Sequence, residues 1–133
     1  MTDLVVDASV LSNVIRGVKL PPAHRHLIEE PAVLNVPELC DLEVVSSLRR
    51  LVLLGEVALT SAAESLGDYF ALPLMRHRHV ELLPRVLSLY ANFTAYDAVY
   101  AALAEELDAP LLTLDRGFAR AVADHTALEV IGP

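Results

Sequence analysis

Four acids in this chain, Asp7, Glu43, Asp97 and Asp115, have the type and spacing to do chemistry together. The clearest pair lies in TAYDAVYAALAEELDAPLLTLD, from Thr94 to Asp115. Thr94 is a good helix N-cap, Asp97 stands three residues later, and Ala98 to Leu107 is rich in strong helix formers. Asp108-Ala109-Pro110 then stops the helix, because the residue before a proline is pushed out of α geometry. Leu111-Leu112-Thr113-Leu114 is short and nearly all apolar, which suits a strand buried on both faces of a parallel sheet, and Asp115 stands where it ends. Ligands of open α/β sheets collect at the carboxyl ends of the strands. Asp97, in the first turn of the preceding helix, is expected at that same edge, and two acids there predict a cation between them.

The rest of the chain supplies elements that bring the other two acids to this edge. Leu4-Val5-Val6-Asp7 reads as a strand ending in an acid, and Ala8 to Arg16 as a helix closed by Gly17. After Pro21-Pro22, residues 23–30 predict a short helix and Ala32 to Val36 a second strand. Pro37 is expected to open a long helix running to about Leu54, with Leu39, Leu42, Val45, Leu48, Leu51 and Val52 as its apolar face. Glu43 lies off the middle of that face, flanked one turn away by the small Cys40 and Ser47. Glu38 and Asp41 complement the helix dipole. A helix from Glu56 to Tyr69 follows, then a strand from Leu72 to Met75, confined by Pro73 to a sheet edge or a strand start. A helix from Val80 to Tyr90 contains Pro84. A helix from Arg116 to Ala123 and a strand from Leu128 to Ile131 close the chain. Strands alternating with helices predict an α/β fold over residues 1–133, a single domain built as a three-layer α/β/α sandwich around a mainly parallel sheet of about five strands.

Each acid has an ordinary structural reading. Asp7 and Asp115 fit N-caps, Asp97 the third position of a capping box, and Glu43 a solvated helix residue. None of these explains why all four should converge on one rim, where unpaired carboxylates repel and raise one another's pKa values. A divalent cation removes that cost. Hard oxygen ligands without cysteine or histidine favour Mg2+ or Mn2+ over zinc. Such an ion polarises a phosphoryl oxygen and lowers the pKa of a bound water, so the reaction class is metal-assisted phosphodiester hydrolysis. His77 and His79, two apart in Arg76-His77-Arg78-His79, lack a third zinc ligand nearby and read as a polar segment entering a helix.

Composition narrows the function classes. At 133 residues and 54% hydrophobic, with a mean hydropathy of +0.45, the chain is apolar for a domain of its size. Arg49-Arg50, Glu56 and Glu64 interrupt its richest region, and no apolar run nears the about 18 residues of a membrane span. The surplus apolar surface is therefore assigned to a protein interface. Asp3 and Asp7 inside the first apolar run speak against a leader, and the lone Cys40 fits a reducing cytoplasm. A net charge of −8 excludes a protein that coats nucleic acid through many basic contacts, although not an enzyme that holds phosphate through a metal. Lys19 is the only lysine, so the positive charge is nearly all arginine, suited to forking onto phosphate or carboxylate.

The VDAS of residues 6–9, the PELCDLEVVSSLRRL of 37–51 and the stretch from Thr94 to Asp115 together resemble the PIN-domain ribonucleases, and within them the VapC-type toxins of toxin-antitoxin pairs. The resemblance implies a PIN-like fold with a magnesium site at Asp7, Glu43, Asp97 and Asp115, Thr113 beside it and Ser9 as a further supporting hydroxyl. It implies an endoribonuclease that cuts transfer, ribosomal or messenger RNA to inhibit translation. It also implies a cytoplasmic toxin homodimer and a VapB-type antitoxin whose C-terminal arm covers the acidic groove. Close relatives often carry an arginine shortly before the TAYDA segment where this chain has Tyr90, which leaves the RNA contact to Arg85 or Arg116. Phospho-accepting receiver domains also place acids and magnesium at strand ends, but they need a lysine at the end of a late strand, and Lys19 lies in an early loop. A PIN-like module with a degenerate site, used only for binding, stays open as the alternative.

Overall fold

The computed structural model of the chain describes residues 2–133. Five strands, β1 (Thr2–Val6), β2 (Ala32–Pro37), β3 (Leu74–His77), β4 (Leu111–Leu112) and β5 (Val130–Ile131), form one sheet in the order β3-β2-β1-β4-β5, and every pairing is parallel. β1 lies at the centre, so Leu4, Val5 and Val6 are buried whichever face they point to, which is why its sequence is a continuous apolar run. Seven helices flank the sheet: α1 (Ala8–Ile15), α2 (Pro22–Glu29), α3 (Leu39–Leu53), α4 (Leu59–Ala71), α5 (Leu83–Ser88), α6 (Ala95–Leu107) and α7 (Arg116–His125). Five of them pack in two groups, α1 with α3 and α4, and α5 with α6; α6 also lies on β1 and β2, α2 packs on β2 and α7 beside β5. Every α6 residue from Ala98 to Ala104 is buried, and the alanines among them let the helix approach closely. This is the α/β architecture that the alternation of strands and helices predicts. Among the described residues no helix is long and apolar enough to cross a membrane.

The strand order reverses between β1 and β4, because β1 is followed in the chain by β2 on one side and paired with β4 on the other. The crevice at the carboxyl ends of these two strands is where open α/β sheets take ligands. Val6 is in register with Leu112, so Asp7 and Thr113 are the next residues of neighbouring parallel strands, and the Asp7 amide donates to the Leu112 carbonyl at 2.9 Å.

Several expected boundaries move, each for a local reason. Pro37 does not open α3; it ends β2, in register with His77, and the helix starts at Leu39. β3 begins at Leu74 and takes in Arg76 and His77, because Pro73 cannot donate to a ladder and an edge strand tolerates polar residues. Pro84 splits the expected helix from Val80 to Tyr90 into a 3-10 turn, Val80–Leu82, and α5, with the proline in α5's first turn. β4 stops at Leu112 because hydroxyls take over the following amides: Leu114 donates to Ser9 Oγ and Asp115 to Thr113 Oγ1, both at 3.0 Å. The inward face of α3 matches the predicted one only in part: Leu48 is buried and Leu39 and Val52 pack against the core, as expected. Cys40 and Val44 are buried as well, whereas Leu42 and Val45 point outward, Leu42 at 69% exposure.

Candidate functional site

The crevice at the β1/β4 switch point gathers the four predicted acids, each positioned by a different element. Asp7 follows β1 and stands at the N-cap position of α1, yet its carboxylate makes no capping bond. Instead Asp7 Oδ2 accepts from Thr113 Oγ1 at 2.7 Å and from Ser9 Oγ at 3.0 Å. The two hydroxyls are themselves aimed by backbone amides, Thr113 by Asp115 N and Ser9 by Leu114 N. One oxygen of Asp7 is thus fixed by a ring of donors, and the Ala8 amide adds to their pull on the carboxylate. Ser9 and Thr113 therefore lie against Asp7, as expected from the sequence.

Asp115 does act as a cap. Its Oδ1 accepts from Phe118 N at 2.9 Å at the start of α7, which leaves Oδ2 for other partners. Asp97 lies in the first turn of α6, where its amide donates to Thr94 Oγ1 at 3.2 Å. Among the described residues its carboxylate takes no hydrogen bond, so the capping box is only half formed and the acid remains free to turn toward the crevice. Glu43, on α3, is held by a residue that the sequence reading passed over. Tyr100 donates its hydroxyl to Glu43 Oε1 at 2.6 Å. Tyr100 is fully buried and stands one turn after Asp97 on the same face of α6, so the spacing of three was the available signal. Burial pushes the Tyr100 hydroxyl far above its ordinary pKa, and it acts only as a donor.

The charges of these groups feel one another. Burial raises the pKa of Asp7, with a further increment from Asp115, against the lowering effect of its hydroxyl donors. Burial likewise raises Glu43, with contributions from Asp7 and Asp97, although Tyr100 opposes it. Asp97 is pushed up to about 6, first by burial and then by the Asp7 and Asp115 charges. Asp7, Glu43 and Asp97 thus each feel the charge of at least one other acid of the set, a cost that a cation among them would relieve. Among the described residues, no three acidic, histidine or cysteine side chains already stand close enough to enclose an ion. The fit to a divalent cation is thus one of donor chemistry, hard carboxylate oxygens within electrostatic reach of one another.

Other residues singled out by their type go elsewhere. Arg85 is not brought to the acids. Its guanidinium forks onto Glu105 at 2.8 and 2.9 Å, two turns of α6 or about 12 Å of helix beyond Asp97. Arg116 opens α7 next to Asp115 and is exposed, as is Tyr90. His77 donates from Nε2 to Asn35 Oδ1 at 2.8 Å within the sheet. Asp41, expected only to complement a dipole, accepts from Tyr69 at 2.6 Å and from Arg76 at 2.9 Å. His24 gave no sequence signal, standing in a short polar helix two residues before His26. It is completely buried and shares its Nε2 hydrogen between the Thr113 and Ile131 carbonyls at 2.9 and 3.0 Å, pinning the strand end that carries Thr113.

Comparison with known proteins places this geometry in a family. The PIN domain model matches residues 4–123. Ribonuclease VapC1 of Mycobacterium tuberculosis is 35% identical over 125 residues, which is 91% of this chain and 92% of the relative. Ribonuclease VapC3 of Pyrobaculum aerophilum is 33% identical, over 87% of this chain and 92% of its own. Solved structures share the fold at lower identity. DNA-bound VapBC of Salmonella typhimurium matches with a TM-score of 0.68 at 12% identity, over 99% of this chain and 98% of that one. VapBC-5 of Mycobacterium tuberculosis, a member of the VapBC family of toxin-antitoxin systems, matches with 0.60 at 17% identity, over 100% of both. With the family model spanning nearly all of the chain and relatives of more than 30% identity aligned along most of it, this protein belongs to the PIN-domain family, among the VapC ribonucleases.

Proposed function

We propose that this chain is a magnesium-dependent endoribonuclease, the toxin of a VapBC-type pair, which hydrolyses phosphodiester bonds in transfer, ribosomal or messenger RNA in the cytoplasm and so inhibits translation. The observation that carries the proposal is the convergence of Asp7, Glu43, Asp97 and Asp115 on the crevice at the sheet's switch point, in a chain akin to VapC ribonucleases. Asp7 and Asp97 would hold the principal ion, with Asp115 close by and Glu43 a direct or water-mediated ligand. Mg2+ or Mn2+ bound there would polarise a phosphoryl oxygen and lower the pKa of a water near the phosphorus.

The chain's own residues supply the positioning. Thr113 and Ser9 clamp one oxygen of Asp7 and so aim the other into the crevice. Tyr100 does the same for Glu43 by occupying Oε1. Asp97 must lose its proton to contribute charge, so activity is expected to fall as the pH drops through about 6. A homodimer and a VapB-type antitoxin complete the proposal. The exposed apolar residues of α3 and α4, among them Val45, Leu53 and Leu59, are the surface such partners need.

A binding-only module is the competing reading, and the presence of all four acids counts against it. Purified protein free of any antitoxin is incubated with total RNA in Mg2+, in EDTA, and as Asp7→Asn, and the new ends are mapped. Cuts that need Mg2+ and vanish in the variant support the nuclease. Cuts that persist in Asp7→Asn sink the site assignment, and no cuts from folded protein favour the binding module.

A further inference from the structure

We propose that α3 carries a binding trough for the phosphodiester backbone of single-stranded RNA, running from Glu43 to Arg50 and seating a phosphate that neighbours the one that is cut. The inference rests on the nuclease reading above and assigns it a substrate contact. Glu43, Ser46, Ser47 and Arg50 fall at positions i, i+3, i+4 and i+7, one face of the helix. Together with Arg49 they line a hollow of about 360 Å3. Glu43, one of the four acids, thus also borders a hollow whose other lining is hydroxyl and guanidinium.

The two arginines are uncommitted. Among the described residues the ion pairs involve His26, Arg76 and Arg85. Arg49 and Arg50 take no acid, although the chain has a net charge of −8 and acids are plentiful. An exposed guanidinium beside two serine hydroxyls offers donors to an incoming anion, and the fork of arginine matches a phosphate in two bonds. Glu43 and Arg50 are seven residues apart, about 10 Å along the helix, which puts Arg50 within reach of a neighbouring phosphate of the same strand. A strand with its scissile phosphate at the acids therefore passes Arg50 with a neighbouring phosphate. Such a contact positions the backbone without reading bases, so it acts alike on all sequences.

The test uses the whole protein and a labelled single-stranded oligoribonucleotide of mixed sequence, with Ca2+ replacing Mg2+ during the binding measurements. Arg50→Ala is expected to weaken binding about tenfold at low salt and to reduce the slope of log affinity against log salt by about 0.7. Arg50→Lys should recover the slope but only part of the affinity, because a point charge replaces the fork. Arg78→Ala, which removes the same charge beside a separate hollow lined by Glu81 and Glu106, should change neither. The Mg2+ concentration for half-maximal cleavage of total RNA should be the same in Arg50→Ala and wild type, separating backbone binding from the acid centre. If wild-type protein cuts RNA while Arg50→Ala keeps its affinity and salt slope, the trough is refuted and the nuclease stands. If wild-type protein does not cut at all, the nuclease reading falls and the trough with it.

Discussion

Asp97→Asn should make the protein more stable at neutral pH in the absence of divalent ions, although it removes a residue proposed to be essential for cleavage. The Asp97 carboxyl is pushed from an ordinary 3.8 to about 6, first by burial and then by Asp7 and Asp115. An acid that holds its proton more tightly in the folded state contributes stability that is fully present below about 3.8 and lost as the pH rises through about 6. The full separation corresponds to about 3 kcal/mol. The side chain is half exposed, so water and salt screen the repulsion, and about 1 kcal/mol should remain. For a chain of this length that is about 3 to 5 °C in the unfolding midpoint. Thermal unfolding in EDTA, followed by circular dichroism from about pH 4 to pH 7.5, should show the variant pulling ahead of wild type across that range. Mg2+ should then reverse the order. An ion at a hundred times its dissociation constant adds about 2.7 kcal/mol to whichever protein binds it, and the asparagine variant should bind it poorly. A variant no more stable than wild type at neutral pH in EDTA, or a gap that does not close toward pH 4, would refute the claim that the rim repels itself.

Tyr100→Phe removes one hydroxyl from a buried ring and frees Glu43 Oε1. Cleavage activity or metal affinity should drop about 10- to 100-fold with a higher Mg2+ requirement, while stability changes by only about 1 to 2 kcal/mol; an unchanged Mg2+ titration would show that Tyr100 does not position the acid. Arg85→Ala should lower stability by less than about 1 kcal/mol, because the Glu105 pair is solvent-exposed, and should leave RNA cleavage alone. A large loss of RNA affinity in that variant would show that Arg85 leaves Glu105 to contact substrate.

What could be read from the sequence follows from how many independent constraints each residue met. Asp7, Asp97 and Asp115 were legible because a short apolar strand, a capped helix and a proline stop fix their places on a parallel sheet with little freedom. Glu43 was harder, since α3 carries two apolar stripes and a helical period cannot say which one faces the core. Cys40, Val44 and Leu48 do, and the Leu42 and Val45 stripe belongs to the surface. Pro37 was misassigned because a proline suits a helix start as well as a strand end, and only the pairing with His77 decides. Tyr100 went unread because an isolated tyrosine on an apolar helix is usually a core residue, and His24 because nothing in the short, largely polar α2 singles it out. Their roles depend on partners 57 and 89 residues away.

The central claim is that Asp7, Glu43, Asp97 and Asp115 together hold a divalent cation. Crystals soaked in Mn2+ and measured at the manganese absorption edge test it most directly. The account predicts an anomalous peak bonded to Asp7 and Asp97, with Asp115 and Glu43 bonded directly or through water, and the loss of that peak in Asp97→Asn. Protein that cuts RNA with Mn2+ but shows its manganese bound away from these four carboxylates would contradict it.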